Sequence, residues 1–202
     1  MKINLGCASE PLLDYVNVDM DSLDDSKRRY PHKQFSDDLI VEQWDIFNLA
    51  VEDNSVDEIR ADCVFEHLSF TEEKKIFEEV KRVLKVGGVL NLAVPDIEST
   101  FRKFLDASDD WKDWYRTDKE AIEEKHWFGN YEYSDDNRWG YLTACIYGSQ
   151  NGEGQYHKNC YTIGKLRSIC DVLNFKIFEE ETFTWEHSGI DKILRIKATN
   201  EE

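Results

Sequence analysis

Short apolar runs separated by acidic turns fill the first half of the chain and predict strands over residues 2–5, 15–18, 39–44, 56–61 and 89–94. Between the last two, Ile76, Phe77, Val80, Val83 and Leu84 recur at helical spacing, while Glu72, Glu73, Lys74, Lys75, Glu78, Glu79, Lys81 and Arg82 take the remaining face. That pattern predicts an amphipathic helix over 71–85. Its acidic start and basic end suit the helix dipole, and Gly87 and Gly88 are expected to stop it. Strand, covering helix and strand make a βαβ unit, so the sheet is expected to be parallel.

The pattern changes over residues 97–161. Two helical periods, at 97–106 and 110–125, precede a loop punctuated by Gly and Asn from 129 to 154. Four of the six tryptophans, Trp111, Trp114, Trp127 and Trp139, fall in this stretch, which reads as an aromatic-rich insertion laid over the sheet as a lid. Sheet logic then resumes with a helix over 163–173 and strands over 176–184 and 192–198. Only residues 185–191 join those two strands, whereas a parallel crossover needs a dozen or more. As neighbours they must pair antiparallel.

The 202 residues suit one domain with an embellishment, large enough to bury a core without disulfide staples. Charge narrows the partners: 25 Lys and Arg against 42 Asp and Glu leave a net charge of −17. Such a surface repels nucleic acid and anionic membrane, which bind through Lys and Arg. The densest basic run, Lys27, Arg28 and Arg29, lies among aspartates and reads as a solvated face. Cys7, Cys63, Cys145, Cys160 and Cys170 are odd in number and include no CxxC, so reduced thiols are expected. With no signal-like or membrane-spanning apolar run, the expectation is a soluble, cytoplasmic protein.

The first strand runs into Gly6, and the second ends on Asp19. In doubly wound sheets, ligands bind outside the carboxyl ends of the strands, where a glycine turn admits close approach and an acid takes ribose hydroxyls. A GxGxxG phosphate turn is absent, since Cys7, Ala8 and Ser9 follow Gly6. The interval from Gly6 to Asp19 is too short for a turn, a full helix and a strand. Both features favour a nucleoside ligand without phosphates over a dinucleotide. No histidine forms a metal-ligand pair by spacing, and Glu66-His67 lacks the HExxH period, so no metal is expected.

The run WDIFNLAVEDNSVDEIRADCVFEHLSFTEEKKIFEEVKRVLKVGGVLNLAVPD, taken with KINLGCASEPLLDYVNVDMD, closely resembles the class I S-adenosylmethionine-dependent methyltransferases, in particular the small type 11-like group. The resemblance implies an α/β fold with a Rossmann-like, mostly parallel seven-stranded sheet and an antiparallel last strand. It also implies S-adenosylmethionine as cofactor and S-adenosylhomocysteine as product. By position, Leu5, Gly6 and Cys7 would approach the methionine part, Asp19 the ribose hydroxyls, Asp45 the adenine amino group and Ile46 the adenine ring. Cys63, Val64 and His67, following the fourth strand, would line the sulfonium end, and Asp96 would end the fifth strand at the substrate side. Ala8 stands where the group often has a second glycine.

An activated methyl needs chiefly an aligned nucleophile, and a hydroxyl nucleophile also needs somewhere for its proton to go. His157, within GQYHKNCYT, and His67 are the candidate bases, with His157 the first choice, and each also reads as a hydrogen-bonded structural residue. Tyr156, Lys158 and Tyr161 carry over from similar methyltransferases as substrate-side residues. Trp127, Tyr131, Tyr133 and Trp139 are either the core of the insertion or an aromatic wall for a sugar or other flat-faced substrate. The reading that results is O-methylation of a small molecule or glycan. Two alternatives remain: a catalytically silent nucleoside-binding module, and an NAD-dependent sugar reductase or epimerase.

Overall fold

The alternation in Val56-Asp57-Glu58-Ile59-Arg60-Ala61-Asp62 places acids and arginine on one side of a strand and apolar residues on the other. A parallel sheet covered on both faces reads instead as continuous apolar runs. The computed structural model, which describes residues 1–106, 138–148, 150, 154–184 and 192–201, accordingly contains a sheet with one apolar and one polar face. Its strands are β1 (Lys2–Leu5), β2 (Val16–Val18), β3 (Val41–Glu42), β4 (Val56–Asp62), β5 (Leu84–Pro95), β6 (Phe175–Phe183) and β7 (Ile193–Asn200). They form one sheet in the order β3-β2-β1-β4-β5-β7-β6. β7 is antiparallel to both its neighbours, β5 and β6, and the remaining pairs are parallel. The short connection before β7 therefore has the consequence expected of it.

The register puts Ile3, Ile59, Leu90 and Ala198 in one row across the sheet and Leu5, Ala61, Leu92 and Ile196 in the next. All eight are fully buried in a single cluster. Helix α2 (Phe70–Val83) covers it with Ile76, Phe77, Val80 and Val83, and α5 (Ile163–Val172) with Leu166 and Cys170. Ser69 and Glu72 close a capping box at the start of α2, and Thr162 caps α5.

The opposite rows are polar. Glu58 pairs with Lys2 and accepts from the Tyr15 hydroxyl; Asp62 pairs with Arg60 and Arg195; Arg195 also reaches Glu181, and Lys197 reaches Glu179. Two asparagines on this face hold the β1–β2 connection. Asn17 accepts from the Leu12 N–H at 2.7 Å and donates to the Leu12 carbonyl at 2.9 Å, and Asn4 donates to Asn17 Oδ1 and to the Glu10 carbonyl. Residues 6–15 contain no helix, and their backbone groups are met partly by turn bonds and the Val18 carbonyl and partly by the side chains of Asn4, Asn17 and Asp19.

Several boundaries differ from the sequence expectation. α2 ends at Val83, and Leu84 is already extended at φ −69° and ψ 131°, so the chain passes directly into β5. Gly87 and Gly88 therefore lie inside β5 and do not stop the helix. β3 keeps only two of its expected residues. A helix α1 (Leu23–Arg29), closed by a Ser22–Asp25 capping box, forms where only a charged face was foreseen. Helix α3 (Ile97–Asp106) has the predicted bounds, whereas α4 (Arg138–Tyr147) interrupts the expected loop over 129–154 and packs against α3. The expected helix over 110–125, and with it Trp127 and Tyr131, lies outside the described residues.

Replacing Asn17 by Ala strands the Leu12 N–H and leaves the Leu12 carbonyl only a long bond from the Tyr15 N–H, at 3.4 Å, in a partly buried site. We expect a loss of about 2–3 kcal/mol in urea unfolding, the usual range for an unsatisfied buried polar group. An unchanged midpoint would show that the connection is held by something else.

Candidate functional site

The carboxyl ends of β1, β2 and β4 open on a cleft of about 390 Å³, within the range of small-molecule sites. Gly6 leaves β1 at φ 60°, and its N–H donates to the Val18 carbonyl at 2.7 Å. A Cβ there would stand 2.4 Å from Val64 Cγ2, so only glycine lets the β1 turn and the segment after β4 come together. Ala8 follows at φ 39°, a left-handed conformation that disfavours a side chain. Its N–H donates to Asp19 Oδ2 at 2.8 Å, while Asp21 N–H donates to Asp19 Oδ1 at 3.0 Å. The two bonds orient a carboxylate at the end of β2 and use only part of its acceptor capacity.

After β3, Asp45 Oδ1 accepts from Phe47 N–H at 2.9 Å in a local turn. Trp44, Asp45, Ile46 and Phe47 together form the wall of the cleft opposite Cys63 and Val64. β4 ends in Cys63 at φ 54°, and a 3₁₀ turn over Phe65–His67 follows. The Glu66 carbonyl accepts from the N–H groups of Lys158 and Asn159 at 2.8 and 3.0 Å, which ties this turn to the segment from Gly154 onward.

That tie brings the two histidines together. Their rings lie 4.8 Å apart and nearly perpendicular. His67 Nδ1 is 3.1 Å from the Tyr156 carbonyl, and His157 Nδ1 is 3.0 Å from the Cys145 carbonyl. A carbonyl only accepts, so in both rings Nδ1 carries the proton and a neutral ring keeps its lone pair on Nε2. Burial lowers the His67 pKa to about 4 and also lowers that of His157. Gly148, at φ 75°, admits this approach, because a Cβ there would meet the Gln155 carbonyl at 2.2 Å. Glu66 lies beneath, fully buried, and burial raises its carboxyl to about 8.

Of the residues singled out from sequence, Gly6, Asp19, Asp45, Ile46, Cys63, Val64, His67 and Lys158 line the cleft. Leu5 does not; it is fully buried in the core. Cys7 is buried at the β1 turn, where desolvation and, to a lesser degree, Asp19 push its thiol up to about 12, far from a reactive thiolate. Asp96 caps α3, accepting from Glu98 N–H and Ser99 Oγ. Tyr161 is a core residue whose hydroxyl donates to Glu73. Tyr156 contributes its carbonyl to His67, and His157 stands against His67 without itself lining the cleft.

Sequence reasoning missed Trp44 and Phe47, although they flank Asp45 and Ile46. It also missed Arg29, paired with Asp21 at 2.7 Å, because the contact joins the end of α1 to the turn after β2. Ala8 belongs to the lining as well, in the place of the second glycine.

Residues 5–92 match the family of type 11 methyltransferase domains. The match, which spans under half of the chain, supports a class I methyltransferase domain of the type 11 group with S-adenosylmethionine as cofactor. Among solved structures, the Burkholderia thailandensis 1,6-didemethyltoxoflavin-N1-methyltransferase, crystallised with its substrate and S-adenosylhomocysteine, superposes with a TM-score of 0.58. The match is at 8% identity and covers 100% of this chain and 71% of that one. A SAM-dependent methyltransferase from Methanosarcina mazei gives 0.57 at 17% identity, covering 98% and 91%. At such identities the likeness is one of fold. No curated protein matches in sequence. No described helix is long and apolar enough to cross a membrane.

The two positions of the turn predict opposite responses. Gly6→Ala should destabilise by about 1–3 kcal/mol and weaken binding of S-adenosylhomocysteine, since a left-handed Ala is strained and its Cβ collides with Val64. Ala8→Gly relieves the same strain, at about 1–2 kcal/mol, against a smaller gain in unfolded-state freedom. Net stabilisation of about 0.5–1 kcal/mol should appear in urea unfolding of that variant, and a loss would refute the strained reading.

Proposed function

We propose that this methyltransferase acts on a hydroxyl group of a small molecule or glycan. The observation that carries the reading is the convergence, on one cleft, of two oriented carboxylates with a neutral imidazole. Asp19 and Asp45 stand on the side of the β1 turn and the β3 loop, and His67 stands past the end of β4.

The bound cofactor supplies a methyl already activated on a sulfonium. Asp19 takes the ribose hydroxyls with the acceptor capacity that its own loop leaves over, and Asp45 accepts from the adenine amino group while Ile46 packs on the ring. Gly6 gives the methionine part close backbone approach, and Cys63, Val64 and His67 surround the sulfonium end. His67 Nε2 is placed to receive the acceptor's proton, with His157 packed edge-on against it as the second candidate base. Lys158, half exposed and 3.5 Å from Glu72, stands on the acceptor side. The described parts of the segment 97–161 serve as a lid. In support, α3 leaves directly from the end of β5 and packs on α4, whose last turn abuts the segment carrying His157. The net charge of −17 argues against a polyanionic acceptor.

Asp19→Ala and Asp45→Ala should each weaken S-adenosylhomocysteine binding by tenfold or more in calorimetry, as expected for a hydrogen bond to a charged group at about 1.5–3 kcal/mol. Unchanged affinity in both would remove the assignment of the cofactor site. His67→Gln should leave that affinity within about threefold while lowering the rate of methyl transfer by about 10²-fold or more, the low end for a general base.

A further inference from the structure

We infer that Glu66, His67 and His157 form a binding site for one divalent transition-metal ion, of the Zn²⁺ class, in the wall of the cleft. One ligand atom from each of the three lies within 4.8 Å of the others. The set is two imidazoles and one carboxylate, which leaves a fourth position for water or substrate in a tetrahedral ion.

Three further observations point to an ion. Glu66 is 2% exposed, and apart from the weakly donating Cys63 thiol neither of its carboxyl oxygens has a hydrogen-bond partner among the described residues. Once ionised, a carboxyl so placed needs a counter-charge, and a cation that displaces its proton answers both the charge and the vacant lone pairs. Both histidines donate Nδ1–H to a backbone carbonyl, of Tyr156 and of Cys145. Metal-ligating histidines are oriented in this way, because the outer bond fixes the tautomer and turns the Nε2 lone pair toward the ion. Finally, the three side chains come from two segments clamped together by the Lys158 and Asn159 N–H bonds to the Glu66 carbonyl, so the cluster does not depend on a single flexible loop.

Bonds of about 2.1 Å around a tetrahedral ion place ligand atoms roughly 3.4 Å apart, so loading draws the donors inward by about 1.4 Å. Side-chain torsions can absorb that. His67 belongs to both the cluster and the cleft wall, so the open position is within reach of an acceptor oxygen. An ion there would occupy the Nε2 lone pair of His67, so in the loaded protein the ion, in place of His67 acting as base, would hold that oxygen and ease its deprotonation. Metal binding itself does not rest on the proposed acceptor.

The test uses the full chain, stripped with a chelator and titrated with Co²⁺ under visible absorption and with Zn²⁺ by calorimetry. The expected result is one ion per chain, with d–d bands of nitrogen and oxygen ligation and no thiolate charge-transfer band. Glu66→Gln and His157→Asn should each weaken the ion by tenfold or more with unchanged far-UV circular dichroism. The inference is overturned if the wild-type chain takes up no ion, if a thiolate band assigns uptake to cysteines such as exposed Cys160, or if both variants bind as the wild type does. Should both variants unfold, the wild-type cobalt spectrum decides alone. S-adenosylhomocysteine affinity, read on the same samples, reports on the cofactor site: its retention without metal uptake sinks only this inference, and its loss with metal uptake sinks only the cofactor assignment.

Discussion

The hydrogen bonds from Asn4 and Asn17 to the β1–β2 connection are the constraint on which the Gly6–Asp19 side of the cleft depends. A parallel pair of strands ordinarily returns through a helix that satisfies its own backbone and covers an apolar face. Here the face is polar, so there is no apolar surface for a helix to bury. The connection lies instead on two asparagines that present an amide edge to Leu12 and Glu10. That arrangement shortens the path from Gly6 to Asp19 and allows Ala8 to donate directly to the Asp19 carboxylate.

The two faces of the sheet are consequently stabilised by different physics. One is a close-packed apolar cluster under α2 and α5, where the free energy comes from removing carbon from water. The other is a ladder of cross-strand ion pairs and amide bonds, in which Asp62 between Arg60 and Arg195 is the most enclosed charged group. Such pairs contribute modestly when exposed and more as they lose solvent, but they also fix register, because a slip by one residue would move every charge into the core. The chain can therefore keep a methyltransferase sheet while omitting a covering helix.

On the far side of the cleft the chemistry is set by enclosure. Burial lowers the basicity of both imidazoles and raises that of Glu66, so near neutral pH the cluster is low in charge and rich in lone pairs. The two imidazoles are held by bonds to main-chain carbonyls, and the Glu66 backbone by the Lys158 and Asn159 N–H groups. A site arranged in this way is ready to take up a proton or a cation without reorganising its backbone.

Much of this was legible in the residues. The period-two and helical patterns located five of the seven strands closely, together with α2, α3 and α5. The short link before β7 dictated the antiparallel pairing. Gly6, Asp19, Asp45 and Ile46 could be named because motif order along the chain follows strand order in the sheet. The end of α2 was misjudged because Gly87 and Gly88 resemble a stop signal, whereas Leu84 leaves the helix to enter the core. α1 was missed because its seven residues bear no apolar stripe and form on a capping box. What the sequence determined by itself was the set of local elements and the acids that terminate them, since these follow from periodicity and covalent neighbourhood. Only the tertiary structure decided that Tyr161 and Leu5 belong to the core, that Arg29 reaches the cleft, and that His157 meets His67 over Glu66. The placements of Tyr161 and His157 depend on contacts between residues some ninety positions apart in the chain, as in the 3.1 Å bond from His67 to Tyr156, and no local pattern encodes such a distance.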